Sequence, residues 1–122
     1  MENKNYFFQL KEIENNIKNV KIDFDESNNS LNNAKNEFNK SYIQLRNMYE
    51  IISPSFRAHN KEVVLSAFEK YNKELEIFNH CRNVLTKAEA SFQCVSEKLD
   101  KENNDYKKIF HNFQSEFDKI QI

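Results

Sequence analysis

The sequence predicts an all-α fold, arranged as a long antiparallel helical hairpin of the coiled-coil type with a shorter third helix. Apolar residues recur at alternating intervals of four and three from Tyr6 to Ile52, which places them on one narrow stripe of a helix, here called the seam. The same period returns after Pro54, the only proline. The chain has no glycine, and therefore lacks the residue that most often ends helices and forms tight turns.

The first helix is predicted over about residues 4–52, with Asn3 or Asn5 as its N-cap. Its seam stays in phase across the polar segment 25–30, which favours one continuous helix. A strand would alternate at every second residue and cannot keep this pattern. The seam positions are Tyr6, Leu10, Ile13, Ile17, Val20, Phe24, Ser27, Leu31, Ala34, Phe38, Ser41, Leu45, Met48 and Ile52.

A turn is predicted at about residues 53–55, because Pro54 disfavours helical conformation in the residue before it. Ser53 is a good N-cap and proline is well tolerated in the first helical turn, so a second helix is expected over about 56–102. Two arms of nearly equal length with matching seams are typical of an antiparallel hairpin. The second seam comprises Val64, Ala67, Tyr71, Glu74, Phe78, Cys81, Leu85, Ala88, Phe92, Val95 and Leu99.

The C-terminal segment predicts a third helix over about 105–120, because residues 103–105 (Asn-Asn-Asp) are all N-cap types before a new apolar run. Extension of the second helix is the alternative, since further apolar residues stay in phase with it. The segment carries a broad apolar face that should seek another helix. The in-phase residues are Tyr106, Ile109, Phe113 and Ile120, and the broad face is Ile109, Phe110, Phe113, Phe117 and Ile120. We treat residues 1–122 as one coiled-coil domain.

Charge and hydropathy limit the classes of partner. The net charge is −1, with acidic and basic residues spread through the chain, so no basic patch favours nucleic acid. A membrane-bending helical dimer would need a basic concave face, which this even distribution does not indicate. No apolar run approaches the roughly 20 residues of a membrane span, and no signal peptide is evident. We expect a cytoplasmic protein without an integral membrane segment.

The sequence indicates no catalytic, cofactor-binding or metal-binding residues, and therefore no enzyme. Cys81 and Cys94 are thirteen residues apart on one predicted helix, so they face different directions. Cys81 is expected to be a small core residue. The three histidines, His59, His80 and His111, are far apart in sequence, and glycine-rich phosphate loops are impossible without glycine.

Four segments resemble, in the same order, the SH3-domain-binding protein 5 family of coiled-coil proteins. Residues 31–38 resemble its Leu-x-x-Ala-basic-x-x-Phe, and residues 54–59 (Pro-Ser-Phe-Arg-Ala-His) are similar to its Pro-aromatic-aromatic-x-Ala-basic. Residues 99–112 contain a Leu-Asp pair followed by a segment similar to its Trp-Gln-Glu-Met-Leu-Asn-His. In the second helix, the family's Tyr, Asn, Arg and Ala-Glu correspond in spacing to Tyr71, Asn79, Arg82, Ala88 and Glu89.

This resemblance covers about the first half of the family's sequence. It implies a cytosolic guanine-nucleotide exchange factor for a Rab GTPase of the Rab-eleven type, acting in vesicle traffic and signalling. Such a factor binds the switch regions of the GTPase and disturbs its magnesium and phosphate contacts. It would reach endosomal or vesicle membranes through its partner. The alternative is a scaffolding coiled coil that recruits partner helices or self-associates, without exchange activity. No partner-binding residues are assigned at this point.

Overall fold

The computed structural model describes residues 5–120, which form two long α-helices joined by a short 3₁₀ helix. Helix α1 is Tyr6–Ile52, the 3₁₀ helix is Ser53–Arg57, and α2 is Lys61–Ile120. No strand occurs within these described residues. The prediction of an all-α fold is confirmed.

Helix α1 begins where an asparagine can cap it. The Phe8 backbone N–H donates to Asn5 Oδ1 at 3.0 Å, and the Gln9 N–H donates to the Asn5 carbonyl at 3.1 Å. Asparagine satisfies a free N–H group of the first turn in this way. Asn5 is thus one of the two predicted caps, whereas Asn3 and the predicted start at residue 4 lie outside the described residues.

The connection between the helices differs from the predicted turn at 53–55. Ser53 and Pro54 open a 3₁₀ helix instead of α2, and no side chain caps it. Proline is tolerated there because the first turn leaves its N–H groups without helical partners anyway. Ala58 then adopts an extended conformation (φ −69°, ψ 140°). None of the described residues has a positive φ, which explains how a chain without glycine can form this connection.

Helix α2 starts five residues later than the predicted residue 56, and its cap is Asn60 rather than Ser53. The Glu62 N–H donates to Asn60 Oδ1 at 3.0 Å, and Glu62 also places a carboxylate in the first turn, where the helix dipole favours negative charge. The prediction that Ser53 caps α2 was wrong because Pro54 directs this serine into the 3₁₀ helix.

The predicted break near Asn103 does not occur. Helix α2 continues through residues 103–105 to Ile120, so the predicted end at 102 and the separate third helix over 105–120 were wrong. Tyr106 and Ile109 stay in phase with the seam and are half-buried. Their packing outweighs the weak N-cap preference of the two asparagines, because tertiary contacts routinely override local propensity.

The chain divides into two compact units. Unit 1 comprises Met1–Asn28 and Ser91–Ile122, and unit 2 comprises Asn29–Ala90. In unit 1, the rings of Tyr6 and Phe113 lie 5.8 Å apart, and those of Phe24 and Phe92 lie 5.1 Å apart. None of its described residues is fully buried.

Unit 2 contains the buried core of the described residues: Leu31, Ala34, Ser41, Ile52 and Ala67. The rings of Phe38 and Phe78 contact each other at 5.2 Å. Ser41, the polar seam residue, donates its hydroxyl to the Phe38 carbonyl at 2.7 Å, so this buried polar group has a partner.

Burial follows the predicted seam closely. Each predicted seam residue of α1, and each of α2 up to Leu99, is buried or half-buried. The pattern ends near the C-terminus, where Phe113 is 42% exposed and Ile120 is 79% exposed. The 3.5-residue period therefore identified the packed face along most of both helices.

Candidate protein-interaction surface

A row of aromatic rings, made of two clusters, lies on one side of unit 2. Phe56 of the 3₁₀ helix contacts Phe68 at 4.7 Å and Tyr49 at 6.4 Å. Tyr49 also contacts Tyr71 at 6.2 Å. Further along the helices, Tyr42 contacts Phe78 at 6.3 Å. We call this the Tyr49 surface and define it as Tyr42, Tyr49, Phe56, Phe68, Tyr71, Leu75 and Phe78.

Tyr71 and Phe78 belong to the seam of α2, whereas the other residues that the two α-helices contribute to this surface lie beside the seam. Tyr42 follows the seam residue Phe38 by four positions, and Phe68 follows Val64 by four, so each lies just beside the stripe. Tyr42, Tyr49 and Phe68 each keep about half of their surface in solvent, at 51%, 52% and 50% exposure. Large aromatic side chains that pack on each other and stay half exposed are typical of surfaces that bind another protein.

Cations bound this row of rings. On α2, Lys61, Phe68, Leu75 and Arg82 follow one another at intervals of seven, so they lie on the same side of the helix. On α1, Lys35 precedes Tyr42 by seven. All three cations are exposed. None of them forms an ion pair among the described residues, unlike Arg46, whose Nε lies 3.7 Å from Glu50.

The other side of unit 2 is different in shape and chemistry. A groove of about 440 Å³ runs there, and its lining includes Ala34, Glu37, His80, Cys81 and Val84. His80 and Cys81 are consecutive on the helix and point about 100° apart, so they do not form a catalytic pair. Within residues 5–120, no three potential metal ligands come together.

A second group of exposed rings lies at the end of unit 1. We call it the Phe113 surface and define it as Phe7, Phe110, Phe113 and Phe117. The rings of Phe113 and Phe117 stack at 6.2 Å, and Phe7 is 76% exposed. Beside them, interaction with the Glu116 carboxylate, with a contribution from burial, raises the pKa of Tyr6 to about 12.

The two cysteines have different environments. Cys81 is half-buried at the seam, whereas Cys94 is exposed, and both are free thiols. The half-burial of Cys81 fits the role expected from its seam position, a small residue that packs between the helices. Neither thiol adds to the Tyr49 surface.

Sequence reasoning found part of these surfaces. The apolar face predicted at the C-terminus appears as exposed Phe110, Phe113, Phe117 and Ile120. The Tyr49 surface was not predicted, although the sequence places the apolar residues Phe68 and Leu75 beside the seam. The signal that was missed is the interval of seven residues between Tyr42 and Tyr49 on α1, which equals the interval between Phe68 and Leu75 on α2.

Helices long and apolar enough to cross a membrane are absent from residues 5–120. Comparison of the chain with protein-family models, with curated proteins and with solved structures finds no match.

Proposed function

We propose that this chain is an antiparallel coiled-coil hairpin that serves as a cytoplasmic protein-interaction module. In unit 1, Tyr6 contacts Phe113 and Phe24 contacts Phe92, so residues later in α1 meet residues earlier in α2. The same order holds within unit 2, where Phe38 contacts Phe78 and Tyr49 contacts Tyr71. This order of contacts supports antiparallel pairing of the helices.

The observation that carries the proposed function is the Tyr49 surface. Three of its rings, those of Tyr42, Tyr49 and Phe68, remain about half exposed although the seam beside them is already packed. Contiguous exposed apolar patches on a folded protein mark binding sites more often than they serve stability. Tyrosine and phenylalanine supply large contact area at low entropic cost, which is why they are enriched at protein interfaces.

A Rab GTPase is the partner that the family resemblance implies, and we propose it as the specific form of this function. Two of the residues that carry the resemblance, Phe56 and Tyr71, both contact Tyr49 and belong to the Tyr49 surface. On this proposal the helical surface binds the switch regions and favours nucleotide release without chemistry of its own. The chain would then reach endosomal or vesicle membranes through the GTPase.

A scaffold that recruits partner helices is the alternative form of the same function. The exposed rings of the Phe113 surface favour it, because a second surface would let one chain hold two partners. Exchange activity would then be absent, although binding through the Tyr49 surface would remain.

The experiment that separates these two forms is a nucleotide-release assay on a Rab-eleven-type GTPase, combined with light scattering to measure the mass of the chain and of its complex. The wild-type chain should accelerate release, and Tyr49→Ala should reduce this effect. Ile77→Ala is the matched control, since Ile77 is similarly exposed (49%) but lies outside the Tyr49 surface.

Unchanged nucleotide release, with no GTPase complex detected by light scattering, would refute the Rab proposal and leave the scaffold form. Equal loss of activity in the Tyr49→Ala and Ile77→Ala variants would show that the Tyr49 surface is not the binding site. Circular dichroism of each variant establishes that the helices are intact.

A further inference from the structure

The charges around the Tyr49 surface indicate which kind of partner it takes. On α2, the apolar pair Phe68 and Leu75 has Lys61 seven residues before it and Arg82 seven residues after it. On α1, Lys35 precedes Tyr42 by the same interval. These three cations are exposed and have no carboxylate partner among the described residues. The nearest acidic residue in the same series on α2 is Glu89, one heptad beyond Arg82.

Ion pairs do form elsewhere in unit 2. Lys40 lies 3.6 Å from Glu37, and Lys73 lies 3.8 Å from Glu69. Carboxylates on both helices thus pair with some of the cations of unit 2, whereas Lys35, Lys61 and Arg82 form no such pair among the described residues. A ligand that supplies carboxylates would complement these cations.

We propose that the Tyr49 surface binds an amphipathic helix whose apolar stripe is flanked by acidic residues. This inference rests on the proposed function, because it takes the Tyr49 surface as the binding site and adds the chemistry of its partner. The apolar stripe would cover the half-exposed rings, and its carboxylates would meet Lys35, Lys61 and Arg82.

The dimensions of the surface fit one helix. The interval from Lys61 to Arg82 on α2 corresponds to about 30 Å, which is the length of a helix of about 20 residues. The rings form a narrow row parallel to α2, with cations toward its ends. A helix that packs along a pair of helices would contact such a row through apolar residues spaced at intervals of three and four.

Two other occupants fit the observations less well. An anionic membrane typically binds clusters of about four to eight basic residues, whereas the row has three such cations and the chain has a net charge of −1. A second copy of the chain, paired through this same surface, would bring like charges together, because both ends of the row are cationic. Like charges placed opposite each other disfavour association.

The test uses two synthetic amphipathic peptides of about 20 residues with one shared leucine and alanine stripe. One peptide carries glutamate at the flanking positions and the other carries lysine, and circular dichroism selects a pair of equal helicity. Fluorescence anisotropy measures their binding to the full chain. The acidic peptide should bind about tenfold more tightly, because several exposed ion pairs act together, and the difference should shrink as salt is added.

The double variant Lys61→Glu/Arg82→Glu should reverse this preference. Lys87→Glu is the matched control, since Lys87 is exposed and lies outside the row, and it should leave the preference unchanged. Tyr49→Ala should weaken binding of the acidic peptide, whereas Ile77→Ala should not.

The contrary results are distinguishable. If both peptides bind equally and Tyr49→Ala weakens both, the acidic partner is wrong but the Tyr49 surface remains a binding site. If neither peptide binds, or if Tyr49→Ala has no effect, both the partner chemistry and the assignment of the surface fail. Binding to phosphatidylserine vesicles that depends on Tyr49 would overturn the helix in favour of a lipid surface.

Discussion

Unit 2 buries Leu31, Ala34, Ser41, Ile52 and Ala67, whereas no described residue of unit 1 is fully buried, although α1 and α2 contribute to both. The difference follows the size of the seam residues. Unit 2 has the small residues Ala34, Ser41 and Ala67 in its seam, which let two helices approach closely. The predicted seam of unit 1 has one small residue, Ser27, which is only half-buried, and otherwise larger aliphatic and aromatic residues such as Phe24 and Phe92. Close packing, and not apolar content alone, therefore determines burial.

Leucine truncation should show the largest difference between the units. Leu31→Ala removes a side chain that is only 7% exposed and should destabilise the fold by about 2 to 3 kcal/mol. Leu99→Ala removes a half-buried side chain of unit 1 and should cost about half as much, because less apolar area returns to water. Urea unfolding followed by circular dichroism measures both. Equal losses would show that the burial difference has no energetic counterpart.

Cap removal compares the two helix starts. Asn60 caps α2 in unit 2 and Asn5 caps α1 in unit 1. Asn60→Ala should destabilise the chain by about 1 kcal/mol, because it leaves a free N–H group in the first turn of α2. Asn5→Ala should cost less, since it affects the start of a helix in the less buried unit.

Replacement of each asparagine by serine provides the control for this comparison. Serine is an equally good N-cap, so Asn60→Ser and Asn5→Ser should restore most of the lost stability. A larger loss for Asn5→Ala than for Asn60→Ala would contradict the ranking of the units.

Removal of the Tyr6 hydroxyl should have the smallest effect on stability, and this effect should depend on pH. Glu116 raises the pKa of Tyr6 to about 12, above the value of about 10 for an unfolded chain. The folded state therefore holds the Tyr6 proton more tightly than the unfolded chain does. The interaction stabilises the folded state fully below about pH 10, and this stabilisation is lost as the pH rises from about 10 to 12. Tyr6→Phe should thus lower the melting temperature slightly at pH 8.

The same comparison at higher pH tests the cause. The difference in melting temperature between the wild type and Tyr6→Phe should vanish as the pH approaches 12. A constant difference in melting temperature across this pH range would mean that the proton of the Tyr6 hydroxyl does not contribute to stability.

The seam could be predicted from the sequence because it depends on one period repeated over many residues. Leu31, Ala34 and Ser41 were placed correctly, since a helix that keeps the 3.5-residue period has only one packed face. The connection could not be placed as well. Ser53 and Asn60 are both acceptable caps, and the choice between them depends on the 3₁₀ helix that Pro54 begins.

Whether α2 continues beyond residue 102 depended on a similar competition, between local preference for a helix start and packing. Asn103 and Asn104 favour a new helix start by local preference, whereas Tyr106 and Ile109 favour continuation by packing, and packing prevailed. The Tyr49 surface combines Phe56 of the 3₁₀ helix with rings from both α-helices, so its full extent required the fold. The spacing of Tyr42, Tyr49 and Phe68 was nevertheless present in the sequence.

The central claim is that the chain binds its partner through the Tyr49 surface of unit 2. The most direct measurement is a titration of the ¹⁵N-labelled full chain with the acidic peptide, followed by amide chemical shifts. The account predicts shift changes around Tyr42, Tyr49 and Phe68, and unchanged shifts around Phe110 and Phe117. Changes concentrated at the Phe113 surface, or no changes at all, would contradict it.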